Sequence, residues 1–365
     1  MREIETLAAL DAALAEGGSL RGMRLQDLDL RARADRLLAR DDVAGLVVLG
    51  GRLPADLDTH LRNHGALVFP TDARAPVDPY RARLYTPDEL YDGIREVGYQ
   101  ATPDARAYTW LRDGALAHDA FATLLRAIHD DSMSDALTDL VGDAPVVGIM
   151  GGHALRRDEE SYARAAALGH ALARSGLVVA TGGGPGAMEA ANLGALAGSG
   201  ADLAAAVERL REVPLAEADV RSWAVTALDV RHDLLDARAG DLGLRSVGIP
   251  TWFYGHEPPN VFCDGIAKYF SNAIREDGLL LRSTAGVVVL EGAAGTVQEV
   301  FQAATRMYYA PDDGPLPRLV LVGSEHWGRT VPVWPALQAL GSGRRMGGYL
   351  HLVDDLEEAV GLLTG

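Results

Sequence analysis

The sequence predicts an α/β protein, with a Rossmann-like parallel sheet covered by helices on both faces and a smaller N-terminal α/β domain before it. Three observations lead to this fold class. The chain has 365 residues, 48% of them hydrophobic, which exceeds the needs of one ordinary core and suffices for two. From Pro145 onward, apolar runs of strand length alternate with amphipathic helical segments. Glycine-rich sequences directly follow three of these runs.

The second half of the chain carries the predicted main sheet. Its apolar runs predict six strands, at residues 146–150, 177–180, 247–254, 286–290, 319–322 and 349–353. The clearest helix is predicted over residues 158–175, because acidic residues open it and Gly176 follows its end. Residues 194–241 and 264–276 are also predicted to be helical.

The first part of the chain is predicted to form the smaller domain. Apolar runs at residues 44–50 and 66–70 predict buried strands, and helical spacing returns over residues 111–140. The turn-like sequence VGDAP follows, so we predict domains at residues 1–140 and 141–365. The role of the first domain is left open between a regulatory module, a dimerisation surface and a decayed copy of the nucleotide fold. The sequence GLVVLGG favours the last.

Charge and composition exclude several classes of function. A net charge of −17 disfavours a nucleic-acid partner or an anionic membrane surface, since both call for a basic protein. Cys263 is the only cysteine, which rules out an intrachain disulfide and indicates a reducing compartment. The N-terminal sequence lacks the pattern of a secretory signal, and no run of about 18 apolar residues occurs. We therefore expect a cytoplasmic protein without a membrane partner.

The three glycine-rich sequences are the candidate ligand-binding loops. Ligands of open parallel sheets bind beyond the carboxyl ends of the strands, where glycine lets the backbone approach them and the next helix start attracts phosphate. The alternative is that these glycines only make tight turns. The predicted binding residues are Gly151, Gly152, Gly182, Gly183, Gly184, Gly186, Met188, Gly292, Ala293, Ala294, Gly295 and Thr296.

Two common nucleotide motifs are missing from these loops. A dinucleotide fingerprint requires a small residue where Glu189 stands, which disfavours a hydride-transferring dehydrogenase. A P-loop requires a lysine after its last glycine, whereas the only lysine, Lys268, follows Ala267. A P-loop NTPase is therefore excluded.

Glu299 and Arg275 are the candidate catalytic residues. Glu299 lies three residues after Thr296 and is expected to face the same cleft, where its carboxylate accepts hydrogen bonds from ribose or stabilises developing positive charge. The alternative is a capping-box partner of Thr296. Arg275 shares one face of the predicted helix 264–276 with Lys268 and Asn272, either over a phosphate or ribose or as a solvated face.

From residue 146 to its end, the chain resembles the LOG (lonely guy) family of Rossmann-like proteins, which is often labelled lysine decarboxylase. The resemblance rests on GGGPGAMEAAN from Gly182 and on EGAAGTVQE from Glu291, where the family has P-G-G-x-G-T-x-x-E. It implies a phosphoribohydrolase that cleaves nucleoside 5'-monophosphates into base and ribose 5-phosphate, without metal or cofactor, as a homodimer or larger oligomer. It also implies that Glu299 and Arg275 are catalytic and that Gly295 and Thr296 hold phosphate.

The sequence departs from the family pattern at several positions. Glu291 replaces the usual proline, and Ala293 replaces the second glycine. Only Arg275 remains of the family's M-H-x-R-K helix, since Asn272, Ala273 and Glu276 replace its other residues. A decarboxylase using pyridoxal phosphate would depend on the single lysine. Two other readings stay open: a nucleotide sensor or carrier without turnover, and a DNA-processing protein, which the acidic charge disfavours.

Overall fold

A computed structural model describes residues 2–69, 71–72, 74–214, 219–238, 243–254, 257–311 and 314–365. The chain divides into two compact units. The first unit comprises Met1–Leu84 and Gly114–Ala136, and the second comprises Tyr85–Asp113 and Leu137–Gly365. The division at residue 140 into two domains stays a prediction. Within the described ranges, no helix is both long enough and apolar enough to cross a membrane.

The first unit is built on a four-stranded parallel sheet in the order β1-β2-β3-β4. The two apolar runs predicted in this part form β3 and β4, and Pro70 lies outside the described residues. The core under the sheet contains Leu10, Leu25, Leu57 and Leu61. The strands are β1 Arg2–Ile4, β2 Met23–Gln26, β3 Val47–Leu49 and β4 Leu67–Phe69, and the helices are α1 Leu7–Ala15, α2 Ala34–Leu38 and α3 Ala55–Asn63.

The second unit contains a seven-stranded parallel sheet in the order β11-β10-β9-β5-β6-β7-β8, flanked by helices. Its strands are β5 Val146–Met150, β6 Val178–Thr181, β7 Ser246–Gly248, β8 Gly265–Ile266, β9 Gly286–Val289, β10 Arg318–Val322 and β11 Leu350–Val353. Every residue of β5, β6 and β9 is buried, as the continuous apolar runs of a covered parallel sheet require. The predicted fold class is confirmed.

The helices complete the architecture in chain order. Short helices α4 to α6 precede the long α7, and α8 to α15 connect or follow the strands of the larger sheet, with α9, α10 and α11 all between β6 and β7. They are α4 Pro87–Leu90, α5 Ile94–Val97, α6 Pro103–Arg112, α7 Ala120–Val141, α8 Glu160–Arg174, α9 Ala187–Leu196, α10 Gly200–Leu210, α11 Val220–Ala237, α12 Asn272–Arg282, α13 Ala294–Tyr308, α14 Trp334–Gly341 and α15 Leu356–Thr364.

The order of the strands places a topological switch point between β5 and β9. From β5 the chain builds outward through β6, β7 and β8, and it then returns to add β9 on the other side of β5. The loops that follow β5 and β9 therefore leave the sheet in opposite directions and open a crevice at its carboxyl edge. Ligands of open α/β sheets bind in such a crevice.

Two sequence predictions in this unit are wrong in part. The third strand of the larger sheet ends at Gly248 rather than at residue 254, because Pro250 follows and has no N–H to donate to a ladder. The predicted helix over residues 264–276 begins only at Asn272, since its first residues form β8 at the sheet edge. Lys268 is consequently not on one helical face with Arg275. The predicted helical segment 194–241 contains the end of α9 and all of α10 and α11. Its residues 215–218 and 239–241 lie outside the described ranges.

Candidate functional site

The three predicted glycine loops meet at the carboxyl edge of the larger sheet. They follow β5, β6 and β9, which are neighbours in the sheet. The Gly152 N–H donates to the Glu291 carbonyl oxygen at 3.1 Å, and the Ala187 N–H donates to the Gly152 carbonyl oxygen at 3.1 Å. The fold therefore brings together the backbone groups that the sequence assigned to ligand binding, while their roles stay predictions.

Buried asparagines hold the loop after β6 in place. The Thr181 hydroxyl donates to Asn192 Oδ1 at 2.6 Å and accepts from the Gly183 N–H at 3.0 Å. Asn260 donates its backbone N–H to the Gly183 carbonyl oxygen at 2.8 Å and its Nδ2 to the Gly184 carbonyl oxygen at 3.1 Å. Asn260, which sequence reasoning missed, lies 68 residues from Asn192 and carries no motif of its own.

Gly186 makes the tight contact between the first two loops. Its φ is +75°, and a Cβ there would lie 2.6 Å from the carbonyl oxygens of both Gly152 and His153. Backbone atoms cannot yield as a flexible side chain can, so only glycine fits at the start of α9.

We expect Gly186→Ala to lower the free energy of unfolding by about 1–3 kcal/mol, because the methyl group overpacks the contact and φ is unfavourable for alanine. Urea unfolding followed by circular dichroism measures the effect. Gly295→Ala is the matched control, since a Cβ at Gly295 meets nothing within 4 Å. Equal stability of the two variants would contradict the close contact.

The start of α13 is open to solvent and has no side-chain cap. Ala293 is the N-cap residue, no side chain caps the helix, and Ala293, Ala294 and Gly295 are all exposed. The Thr296 side chain fills the space where a Cβ on Gly292 would lie. The first amides of the helix can therefore point at an anion. The capping-box interpretation of Thr296 and Glu299 is wrong, because Thr296 is the third residue of the helix rather than its cap.

Arg275 donates hydrogen bonds to three parts of the site. Its Nη1 donates to Glu299 Oε1 at 3.2 Å, its Nε to the Ile249 carbonyl oxygen at 2.7 Å, and its Nη2 to the Gly182 carbonyl oxygen at 3.2 Å. The Arg275 and Glu299 side chains are only 10% and 12% exposed. The two candidate catalytic residues are thus in direct contact beside the glycine loops.

Glu299 is a carboxylate in an unfavourable position for its charge. Burial raises its pKa above the ordinary value of 4.5, the charge of Arg275 lowers it, and Glu276 and Glu257 raise it further. The net direction is upward. An acidic group whose ionised form is held at a cost near a crevice is a typical functional residue.

Glu276, which replaces the family's lysine, joins α12 to α13. It accepts from Asn272 Nδ2 at 2.7 Å on its own helix and from Gln298 Nε2 at 2.6 Å on the next. Both departures from the family pattern at Asn272 and Glu276 therefore belong to one buried hydrogen-bonded group. They support the helix that carries Arg275.

Lys268 takes no part in this group. Its Nζ donates to Asp104 Oδ1 at 2.6 Å, and each side chain is 1% exposed. Burial lowers the pKa of the Lys268 ammonium, and Asp104 opposes that shift. Both readings of Lys268 from the sequence, as a phosphate-closing cation and as part of a solvated face, are wrong.

Met188 and Glu189 lie in the first turn of α9, directly after the loop that follows β6. Glu189 is buried and accepts from Arg157 Nε at 3.1 Å. Met188 packs against the loop on the same side as Arg275, since a Cβ on Gly182 would lie 2.7 Å from Met188 Sδ and 2.1 Å from Arg275 Nη2. Sequence reasoning also missed His326, whose Nε2 lies 3.0 Å from the Gly292 carbonyl oxygen.

A separate cavity of about 270 Å³ lies away from these loops. Its lining includes residues at the beginnings of β9 and β10, such as Val287 and Leu319. It contains none of the predicted site residues.

One stretch in the middle of the chain is similar to a known protein family. Residues 144–209 match the model of the SLOG cluster4 family, a branch of the LOG-like superfamily. This range includes GGGPGAMEAAN, so the resemblance inferred from that sequence is confirmed there. No curated protein matches the chain.

Part of the chain is similar to solved structures at low sequence identity. The molybdenum cofactor binding protein from the phototrophic bacterium Rippkaea orientalis is 18% identical, with a TM-score of 0.36, over 60% of this chain and 96% of that chain. The molybdenum cofactor carrier protein from Chlamydomonas reinhardtii is 19% identical, with a TM-score of 0.36, over 61% of this chain and 99% of that chain.

Proposed function

We propose that the chain, whose residues 144–209 match the model of the SLOG cluster4 family, hydrolyses the N-glycosidic bond of a nucleoside 5'-monophosphate. The products are the free base and ribose 5-phosphate. One observation carries the proposal: the Glu299 carboxylate lies 3.2 Å from the Arg275 guanidinium, beside the meeting point of three glycine loops.

The 5'-phosphate binds at the start of α13. The amides of Ala294, Gly295 and Thr296 lie in the first turn of a helix whose N-cap side chain makes no hydrogen bond. Such a terminus carries about half a positive charge and favours an anion. The loop from Gly182 to Gly186 lies at the same edge of the sheet, and we assign it the remaining backbone contacts of the phosphate and ribose subsite.

The Glu299 carboxylate acts on the ribose. As the C1'–N bond breaks, its electron pair leaves with the base and positive charge develops on the sugar ring, where a nearby carboxylate stabilises it. Water then attacks C1' and loses a proton, and the departing base gains one. Arg275 fixes the orientation of Glu299 and lowers the cost of its charge. This chemistry requires neither a metal nor a cofactor.

A panel of nucleoside monophosphates tests the proposal. The purified protein is incubated with purine and pyrimidine 5'-monophosphates, and the free base and ribose 5-phosphate are quantified by chromatography. The matched control is the corresponding nucleosides, which lack the phosphate that the helix start is proposed to hold. Release of base from a monophosphate but not from its nucleoside supports the function, and no release from any monophosphate contradicts it.

A second candidate function is nucleotide binding without turnover, as in a sensor or carrier. It is favoured by Arg275, whose Nε, Nη1 and Nη2 atoms all donate to groups of the protein itself. An arginine engaged in this way supports the architecture of the site rather than a substrate. Saturable binding of a monophosphate without release of base, unchanged by Glu299→Ala, would assign this function instead.

The variant Gly295→Ala tests whether Gly295 is needed for ligand binding or only for the structure of the helix start. Because a Cβ at this position meets nothing within 4 Å, we expect normal folding and equal or slightly higher stability, alanine being the better helix former. A methyl group in the proposed phosphate site should nevertheless weaken monophosphate binding at least about tenfold. Calorimetric titration measures the affinity, and unchanged affinity would place the phosphate elsewhere.

The assembly and location of the protein are also proposals. We propose a cytoplasmic homodimer or larger oligomer, by resemblance to LOG-like proteins, with a nucleoside monophosphate as its small-molecule partner. Light scattering after size-exclusion chromatography measures the oligomeric state, and a monomer at working concentration would contradict this part of the proposal.

A further inference from the structure

Two histidines and an aspartate lie together on the first unit, for which the proposed function provides no role. His60 is on α3, His64 is its C-cap residue, and the two rings stack with centroids 4.1 Å apart. Asp41 lies in the segment before β3, with its Oδ1 3.4 Å from His64 Nε2. One potential ligand atom from each of the three residues lies within 4.8 Å of the other two.

Backbone carbonyl groups fix which ring nitrogens are free to bind a metal. His60 Nε2 lies 2.8 Å from the Arg40 carbonyl oxygen, and His64 Nδ1 lies 2.8 Å from the His60 carbonyl oxygen. Since a carbonyl oxygen only accepts hydrogen bonds, these two nitrogens carry the hydrogens. The lone pairs are then on His60 Nδ1 and His64 Nε2. Histidines that bind metals are oriented by hydrogen bonds of this kind from their other nitrogen.

The local charges favour a cation at this position. The three side chains lie at the carboxyl end of α3, where the helix dipole is negative. The Asp41 side chain is 89% exposed, and its neighbour Arg40 donates to Asp42 instead. The Asp41 carboxylate therefore keeps its negative charge available for an ion.

We propose that Asp41, His60 and His64 bind a divalent transition-metal ion of the zinc type. Two imidazole nitrogens and one carboxylate oxygen form a ligand set that suits Zn²⁺, whereas Mg²⁺ and Ca²⁺ prefer oxygen ligands alone. Water occupies the fourth position. The ligand atoms close on the ion by rotation of the exposed Asp41 and His64 side chains, to distances of about 2.0–2.2 Å. The bound ion links the segment before β3 to the end of α3 and stabilises the first unit.

Titration of the full-length, chelator-treated protein with ZnCl₂ tests the site. We expect saturable binding at this site and a rise in the thermal midpoint with Zn²⁺. His60→Gln and His64→Asn keep an amide donor for the carbonyl groups but lose a ligand, so each should weaken binding at least tenfold. His232→Gln is the control. His232 also lies beside an aspartate, with its Nε2 3.3 Å from Asp88 Oδ1, but it is not one of the three proposed ligands.

Two further measurements make the result decisive. Co²⁺ substitution should give visible absorption of a low-coordinate site in the wild type and in His232→Gln, but not in His60→Gln. Circular dichroism without metal shows whether each variant is folded. Absence of saturable Zn²⁺ binding, or equal affinity of the wild type and both ligand variants, would overturn the proposal. Base release by the second unit does not enter these measurements, so the two proposals fail separately.

Discussion

Glu299→Gln is expected to reduce kcat for base release by about 10²–10³-fold while leaving the site folded. Glutamine keeps an Oε1 acceptor for Arg275 Nη1, which lies 3.2 Å from Oε1 in the wild type, but it carries no charge. The loss therefore falls on the transition state, where positive charge develops on the ribose, and only weakly on substrate binding. Steady-state kinetics should show the change in kcat rather than in KM.

The control for this prediction is Glu208→Gln on α10. The Glu208 side chain is 78% exposed and pairs with Arg211, the C-cap residue of this helix, at 3.6 Å. Its substitution should leave kcat within about twofold. A Glu299→Gln variant that retains wild-type kcat would remove the carboxylate from the mechanism, whichever base the protein prefers.

The raised pKa of Glu299 also determines the pH dependence. The ionised carboxylate is the active form, so kcat/KM should rise with pH through an ionisation above the ordinary glutamate pKa of 4.5. Because Arg275 lowers this pKa, Arg275→Gln should move the acid limb to higher pH. An acid limb at or below the ordinary glutamate range would assign it to another group.

The same shift has a consequence for stability. A carboxyl group with a raised folded-state pKa contributes stability below its unfolded-state pKa of about 4.5, and this contribution is lost as the pH rises through the folded-state value. Glu299→Gln should therefore be more stable than the wild type at pH 8, with the difference shrinking toward pH 4. Such a gain on removal of a catalytic charge is the expected trade-off between function and stability.

The parts of the site that the sequence predicted are those coded by local pattern. β5 is a buried apolar run between Pro145 and Gly151, so its limits could be read directly. The convergence of the glycine loops followed from strand adjacency, which is the rule for parallel sheets. The contact between Arg275 and Glu299 spans 24 residues and was not predicted, since the family resemblance implied only that both residues are catalytic.

The parts that the sequence did not predict depend on distant residues. β8 is two residues long and pairs with β7 on one side and, through Ile266, with Tyr85 on the other. Lys268, two residues after β8, is a buried ion-pair partner of Asp104 rather than part of a helical face. The two residues are 164 apart in sequence. Pattern along the chain cannot identify a partner at such a separation, and spacing alone therefore favoured the wrong helix.

Asp104→Ala should destabilise the second unit by about 3–5 kcal/mol, because it leaves the Lys268 ammonium buried without its anion. Asp104 also accepts from the Tyr99 hydroxyl at 2.6 Å and from Trp252 Nε1 at 2.8 Å, so three donors lose one acceptor. The Glu257 carbonyl oxygen at 3.4 Å and the face of the Trp252 ring at 5.3 Å also lie near Lys268 Nζ. Neither replaces a carboxylate.

Urea unfolding separates the loss of the ion pair from a general effect of removing an aspartate. Asp233→Ala, at a side chain 67% exposed, should change stability by no more than about 0.5 kcal/mol. Adding Lys268→Met to Asp104→Ala should restore part of the loss, since the unpaired charge is then gone. A cost below about 1 kcal/mol for Asp104→Ala would mean that Lys268 is neutral in the folded state, because a buried ammonium cannot lose a carboxylate at 2.6 Å so cheaply.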